Sequence, residues 1–186
     1  MIIIGITGTL GAGKGTIVDF LTKENGFIHF SVRGFLTELL ENENLPPNRD
    51  NLVMMGNRIR ANNSPSYIAE ALYAKAKSCG KNCIIESIRT TGEANALKQH
   101  GDFYLLSVDA DQRIRYDRIR ERASSTDQVS FEEFCENEKR EMQSTDPNKQ
   151  NLSACMQIAD FRIQNNGSYN DLYQQIQHLM YVINKN

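Results

Sequence analysis

A chain of 186 residues, 40% hydrophobic and 24% charged, is long enough for one α/β domain with a real core and too mixed in composition to be disordered or fibrous. Its net charge of −2 argues against a broad nucleic-acid or membrane surface, and no apolar run is long enough to span a bilayer. The opening apolar run is too short and lacks the basic residues of a signal peptide, so a cytosolic protein is expected, while Cys79, Cys83, Cys135 and Cys155 form no C-x-x-C pair and read as reduced packing thiols without zinc.

Taken in order, Ile2-Ile3-Ile4-Gly5-Ile6 predicts a buried strand, and a helical pattern through Ile17, Val18, Phe20 and Leu21 ends at Gly26. Between them lies Gly8-Thr9-Leu10-Gly11-Ala12-Gly13-Lys14-Gly15-Thr16, a glycine-rich loop in the context a phosphate-binding loop requires. Glycines let successive N–H groups face one concavity, and the helix N-terminus adds partial positive charge. Lys14 supplies a full charge for the outer phosphates of a nucleoside triphosphate, and Thr16 a hydroxyl for phosphate or hydrated Mg²⁺.

Phe27 to Phe30 reads as a short strand in which His29 is structural. Ser31 caps a helix carrying Phe35, Leu36, Leu39 and Leu40, which stops before Pro46-Pro47. Residues 51–61 repeat Leu52, Met55 and Ile59 at helical spacing, with Arg58 and Arg60 in the last turn. Ser64-Pro65 starts another helix, which ends at Gly80. Cys83-Ile84-Ile85-Glu86 reads as a buried parallel strand, whose carboxyl end is where ligands sit in open α/β sheets. Phe103 to Val108 is a fourth strand, and Asp111 caps an arginine-rich helix. A polar stretch leads to Ser130 and Glu133, a capping box with Val129 and Phe134 as its hydrophobic staple. Asp146-Pro147 begins a further helix, Asp160 to Ile163 is the last strand, and Ser168 caps a terminal helix with Leu172, Ile176, Leu179 and Ile183 inward. Strands separated by helices predict a three-layer, doubly wound, parallel five-stranded sheet in one domain covering residues 1–186.

The loop variant GxxGxGKGT resembles adenylate kinase and its nucleoside monophosphate kinase relatives. The resemblance implies a P-loop NTPase of the nucleotide kinase type, with a helical acceptor-binding insertion at residues 31–80 and a mobile lid at 122–150. Ser31 is similar to the first residue of that family's S/T-G-D-x-L-R acceptor segment. Its arginine position holds Thr37 here, and Arg33 one turn earlier can cover the same spot. Glu86-Ser87-Ile88-Arg89-Thr90 resembles the D-G-x-P-R-T segment. By this resemblance Glu86 orders hydrated Mg²⁺ and Arg89 grips the acceptor's α-phosphate. Glu93 stands where adenylate kinases place the glutamine that reads adenine; as an acceptor-only carboxylate it suits cytosine or guanine better. A charge favoured by the helix dipole explains Glu93 equally well.

Arg118 and Arg122 fall at the two arginine positions that precede the family's lid and hold donor phosphates. Arg113, Arg115 and Arg120 read as solvent charges, and Arg140 as a weaker lid contact. The ending Ala159-Asp160-Phe161-Arg162-Ile163-Gln164-Asn165-Asn166-Gly167 resembles dephospho-coenzyme A kinases, which places Asn165, Asn166 and Gly167 beside the donor base. The His-Pro pair of that family is missing, and no H-x-E occurs for a deaminase.

The expected activity is therefore transfer of the ATP γ-phosphoryl group, with Mg²⁺, to a nucleoside or deoxynucleoside monophosphate whose base is not adenine. One alternative is a dephospho-coenzyme A kinase-like transfer to a sugar hydroxyl with Glu86 as general base; the other is a nucleotide-binding switch without turnover. The expected ligands are ATP and Mg²⁺ at Gly8, Gly11, Ala12, Gly13, Lys14, Gly15, Thr16 and Glu86, and a small nucleotide at Ser31, Arg33, Arg58, Arg89 and Glu93, with Arg33, Arg58 and Arg60 left open as the main ligand of the acceptor phosphate. Neither nucleic acid nor membrane is an expected partner, and the sequence leaves the oligomeric state open.

Overall fold

The computed structural model describes residues 1–122 and 129–185. Five strands, β1 (Ile3–Gly8), β2 (Ile28–Ser31), β3 (Cys83–Glu86), β4 (Phe103–Asp109) and β5 (Phe161–Gln164), pair in the order β2-β3-β1-β4-β5. Every pairing is parallel, with Ile4 opposite both Ile84 and Tyr104, and Ile163 opposite Val108. Central strands of such a sheet are covered on both faces, which is why β1 reads as an unbroken apolar run. Its residues divide by alternation: Ile3 joins one core with Ile85 and Leu105, while Ile4 and Ile6 join the other with Ile84, Leu106 and Val108. Gly5 lies between them for steric reasons, since a Cβ there would sit 2.3 Å from the Phe103 ring.

Helices α1 (Lys14–Asn25) and, nearest the C-terminus, α9 (Tyr169–Lys185) cover one face through Ile17, Val18, Leu21, Leu172 and Ile176. The opposite face carries α2 (Val32–Asn42), α3 (Arg49–Asn62), α4 (Tyr67–Cys79) and α5 (Thr91–Lys98), packed through Leu36, Met55, Ile68, Leu72, Ala94 and Leu97. The remaining helices are α6 (Gln112–Arg122), α7 (Phe131–Met142) and α8 (Leu152–Gln157). A small third cluster of Tyr116, Ile119 and Phe134 seats α7 on α6. No described helix is long and apolar enough to cross a membrane.

Several boundaries differ from the sequence expectations for local reasons. The helix expected at Ser64-Pro65 starts at Tyr67. The one expected at Asp146-Pro147 starts at Leu152, where the Asn151 side chain accepts from Ala154 N; residues 144–148 instead turn, with Ser144 Oγ and Asp146 Oδ1 accepting backbone N–H groups. Ser130 caps α7 by accepting from Glu133 N, which is one half of the expected box. The complete capping box falls at Thr90 and Glu93, on α5. Of the expected lid, residues 129–150 are described, α7 among them; residues 123–128 lie outside the described residues.

Candidate active site

The loop after β1 curls because Gly8, Gly11 and Gly13 take φ of +143°, +79° and +105°. At Gly13 a side chain is excluded twice, since that φ disfavours one and a Cβ would lie 2.4 Å from Asn165 Nδ2. Asn165, in the loop after β5, donates Nδ2 to Ala12 O at 2.8 Å. Beneath the loop, Thr9 Oγ1 donates to Asp109 Oδ1 at 2.5 Å, which ties the loop to the end of β4. Lys14 donates Nζ to Gly8 O at 2.9 Å and Thr9 O at 2.7 Å. Burial, with the neighbouring Arg89 charge next in size, brings its pKa down to about 8. A glycine cradle closed over a lysine at a helix N-terminus is the donor set a phosphate chain requires.

Beside this loop opens a cavity bordered by Leu10, Gly11, Lys14 and Gly15, by the carboxyl end of β3, and by α2 and α3. Glu86 and Arg89 reach it from β3, Arg33 from α2, Arg49 and Arg60 from α3, and Arg122 from the end of α6. Val32, Leu36, Leu52 and Val53 supply an apolar wall. Ser87, next to Glu86, holds φ of +74°, an uncommon conformation for a side-chain-bearing residue. It stands where the resemblance has glycine, and strain of this kind concentrates at functional sites.

Glu86 Oε2 lies 3.1 Å from His29 Nε2. Burial raises the carboxyl's pKa, but the His29 hydrogen bond and the charges of Lys14 and Arg89 outweigh it and hold the group below its ordinary value. His29, expected to be structural, is thus attached to Glu86, the one carboxylate among the described residues that border the cavity. Arg89 Nη1 donates to Glu141 Oε2 at 2.6 Å and to Gln150 Oε1 at 2.8 Å, and Arg49 Nη2 donates to Glu141 Oε1 at 2.6 Å. Glu141 is buried; burial raises its pKa, and the two arginines hold it below the usual range.

Other expected site residues fall elsewhere. Glu93 is buried outside the cavity lining. Its Oε2 accepts from Arg89 N and Thr90 N, and its Oε1 from Arg60 Nη1, so it is a helix cap rather than a reader of the acceptor base. Arg58 pairs with Glu43 on the surface, where both side chains are over 40% exposed, and does not border the cavity. Ser31 Oγ accepts from Gly34 N as the α2 cap. Thr16 borders a separate groove between α1 and α9, leaving Glu86 as the metal candidate that borders the cavity. Asn166 pairs with Asp111, and Arg118 donates Nη1 to Asn165 O at 2.9 Å. Arg140 pairs with Asp50 at the surface. Arg115, expected in solvent, is 3% exposed and donates to Ala110 O, Leu10 O and Glu138.

Arg49 was missed from sequence, whereas Arg33 and Arg60 border the cavity and Arg58, the third candidate for the acceptor phosphate, does not. A signal existed: Arg49, Leu52, Val53, Gly56 and Arg60 follow helical spacing on one face of α3, with a glycine leaving room at its middle.

Among the described residues no group of three or more His, Cys, Asp or Glu could form a metal cage. A single carboxylate beside a phosphate loop still suits Mg²⁺, which keeps most of its water and takes few protein ligands.

Residues 4–146 match the AAA_18 family model, an AAA domain. A UPF0200 protein of Methanocaldococcus jannaschii is 28% identical over 193 residues, covering all of this chain and 92% of the relative. A UPF0200/UPF0201 protein of Archaeoglobus fulgidus is 25% identical over 191 residues; there the chain spans 57% of the relative's length. Among solved structures, TT1252 from Thermus thermophilus superposes with a TM-score of 0.62 at 19% identity, over 97% of this chain and 96% of that one. A gluconokinase from Sinorhizobium meliloti gives 0.61 at 9% identity, over 99% and 94%. A shikimate kinase from Bacteroides thetaiotaomicron gives 0.58 at 12% identity, over 98% of both chains. At these identities the structural likeness is one of fold.

Proposed function

The chain belongs to the AAA domain family, and on that premise, with the fold it shares with solved gluconokinase and shikimate kinase structures, we propose that it transfers the γ-phosphoryl group of ATP, with Mg²⁺, to the phosphate of a nucleoside or deoxynucleoside monophosphate. The observation that carries this is the cation count of one cavity: Lys14, Arg33, Arg49, Arg60, Arg89 and Arg122 border it together. One triphosphate on the loop does not need so many, whereas two phosphorylated molecules meeting head to head do. Val32, Leu36, Leu52 and Val53 offer a dry surface for the acceptor's base. Mg²⁺, held by Glu86 through water, would neutralise charge between the two sets of phosphates. The protein's own part is positioning: Lys14 and the loop amides grip the donor, Arg89 and Arg49 the acceptor anion, and Arg122 the transferring group. Because Glu93 is committed to capping, the reason to disfavour adenine falls away, and AMP stands beside the other monophosphates as an acceptor.

A second reading has one observation in its favour. Glu86 is kept ionised in the cavity with His29 behind it, as a base for a hydroxyl acceptor would be, whereas a phosphate nucleophile is already ionised and needs none. ADP release from ATP and Mg²⁺ against a panel of ribo- and deoxyribonucleoside monophosphates, dephospho-coenzyme A and sugar alcohols separates the two. Turnover on a monophosphate supports transfer to phosphate; turnover on hydroxyl acceptors alone moves the assignment to the second reading. Turnover on none, with ATP still bound, leaves a nucleotide-binding switch.

A further inference from the structure

One face of α7 carries Phe134, Glu138 and Glu141 at helical spacings of four and three, and each is engaged with the body of the protein. Phe134 is 1% exposed and packs with Tyr116 and Phe131, and the Arg115 guanidinium lies 5.6 Å from its ring centroid. Glu138 grips Arg115 with both oxygens, at 2.7 Å to Nη1 and 2.9 Å to Nη2. Arg115 in turn donates Nη1 to Leu10 O, inside the phosphate loop, at 3.2 Å and Nε to Ala110 O at 2.7 Å. One turn further along α7, Glu141 holds Arg49 and Arg89, both on the cavity wall. Glu141 itself does not border the cavity, so it stands behind the two guanidiniums and fixes where they sit. A buried carboxylate shared by two arginines holds a position that a solvent-exposed pair does not.

We propose that α7 is the coupling element of this site: Glu138 and Glu141 act as positioning residues that join the phosphate loop to the acceptor arginines through one rigid helix. Filling the donor loop shifts Leu10 and Arg115, α7 follows through Glu138, and Glu141 resets Arg49 and Arg89. The inference rests on the kinase reading of the cavity. It adds that the two subsites are thermodynamically linked, so each ligand alters the other's affinity by the same factor. The physical basis is a single helix whose placement both sites bias, not their nearness alone.

Hydrogen exchange of the full chain with and without a non-hydrolysable ATP analogue and Mg²⁺ tests this without needing the acceptor. In the native protein the analogue slows exchange at residues 8–16, and also at 131–142 and 48–56, the latter two segments by about fivefold or more, the lower end of ordinary coupling. In Glu138→Gln and in Glu141→Gln the effect at 8–16 persists and the effect at 48–56 disappears. Persistence at 48–56 in both variants would mean direct contact and would overturn the proposal, as would no effect there in the native protein. An analogue that leaves 8–16 unchanged in the native protein overturns the kinase reading, and the proposal with it. Should a glutamine variant lose strand protection, Glu138→Asp and Glu141→Asp carry the same test, since they keep the charge and shorten the arm.

Discussion

Arg60 Nη1 lies 3.2 Å from Glu93 Oε1, with the two side chains 3% and 0% exposed, so a residue placed to read a base on sequence grounds is half of a buried ion pair. Glu93 also caps α5 and accepts from Arg89 N, and Arg60 Nε reaches Asn148 O. Breaking one side of such a pair leaves an uncompensated buried charge, which costs about 3–5 kcal/mol. Glu93→Ala is therefore expected to lower Tm by at least about 6 °C, at 2–4 °C per kcal/mol for a domain of this size. The order of preference among acceptors is expected to stay unchanged. Thermal unfolding and the acceptor panel check both; a stable variant with altered base preference would return Glu93 to the acceptor site.

What was legible in the chain was whatever local chemistry dictates. Apolar runs marked the three central strands β1, β3 and β4, because parallel strands covered on both faces have no polar side to break the pattern, whereas the edge strands β2 and β5 alternate with exposed His29, Arg162 and Gln164 and were legible as shorter stretches. The glycine loop was legible because few residues tolerate its backbone. The arginines were legible only in part: Arg33, Arg89 and Arg122 border the cavity, but Arg49 was missed and Arg58 faces away. Whether Arg33, Arg49, Arg58 or Arg60 faces the cavity is decided by how α2 and α3 are rotated against the sheet. Arg58 and Arg60 lie two apart on one helix and so point to different sides. Arg115 was hidden for a related reason: its partner Glu138 lies 23 residues away, on a helix with an orientation set by Phe134 packing on α6.

The hydrogen bond between His29 and Glu86 makes a pH prediction. Burial alone would raise the carboxyl's pKa, and His29, with Lys14 and Arg89, brings it below the ordinary value. A depressed carboxylate gives a function present at neutral pH and lost only as pH falls through that lowered value. In His29→Ala the burial stays while the hydrogen bond is gone, so the acid limb of the rate profile moves to higher pH. Native and variant rates converge near pH 8, where both carboxyls are ionised. Profiles of kcat/KM from pH 4 to 9 read this directly; superimposable acid limbs would show that Glu86 does not control the rate.

Lys14 gives a second titration, of opposite sign. With a pKa of about 8 in the ligand-free site, it is largely charged at pH 7 and largely neutral at pH 9. Phosphates favour its charged form and raise the value on binding, so ATP affinity is fully present below pH 8 and falls as pH rises toward the bound-state pKa. The limiting slope is one decade per pH unit, or about 1.4 kcal/mol. Calorimetry at pH 9 in buffers of different ionisation heats should register uptake of close to one proton per ATP. Lys14→Ala should lose the uptake together with turnover; uptake surviving in that variant would assign the proton elsewhere.

The two arginines of α6 should separate by kinetic parameter. Arg122 borders the cavity beside Lys14, whereas Arg118 holds the Asn165 carbonyl, and Asn165 in turn holds Ala12 O in the phosphate loop. On the proposed reading, Arg122→Ala removes a cation from the transferring group, and such arginines are worth about 10³–10⁵ in rate in related phosphoryl transfers. Arg118→Ala loosens the loop that seats the donor, so its expected loss is mainly a higher KM for ATP, with kcat within about tenfold of native because no charge is removed from the reacting group. Steady-state kinetics with ATP varied at saturating acceptor distinguishes them. Equal losses of kcat in both variants would place Arg118 at the reacting phosphate as well, turned inward from its Asn165 contact when the site fills.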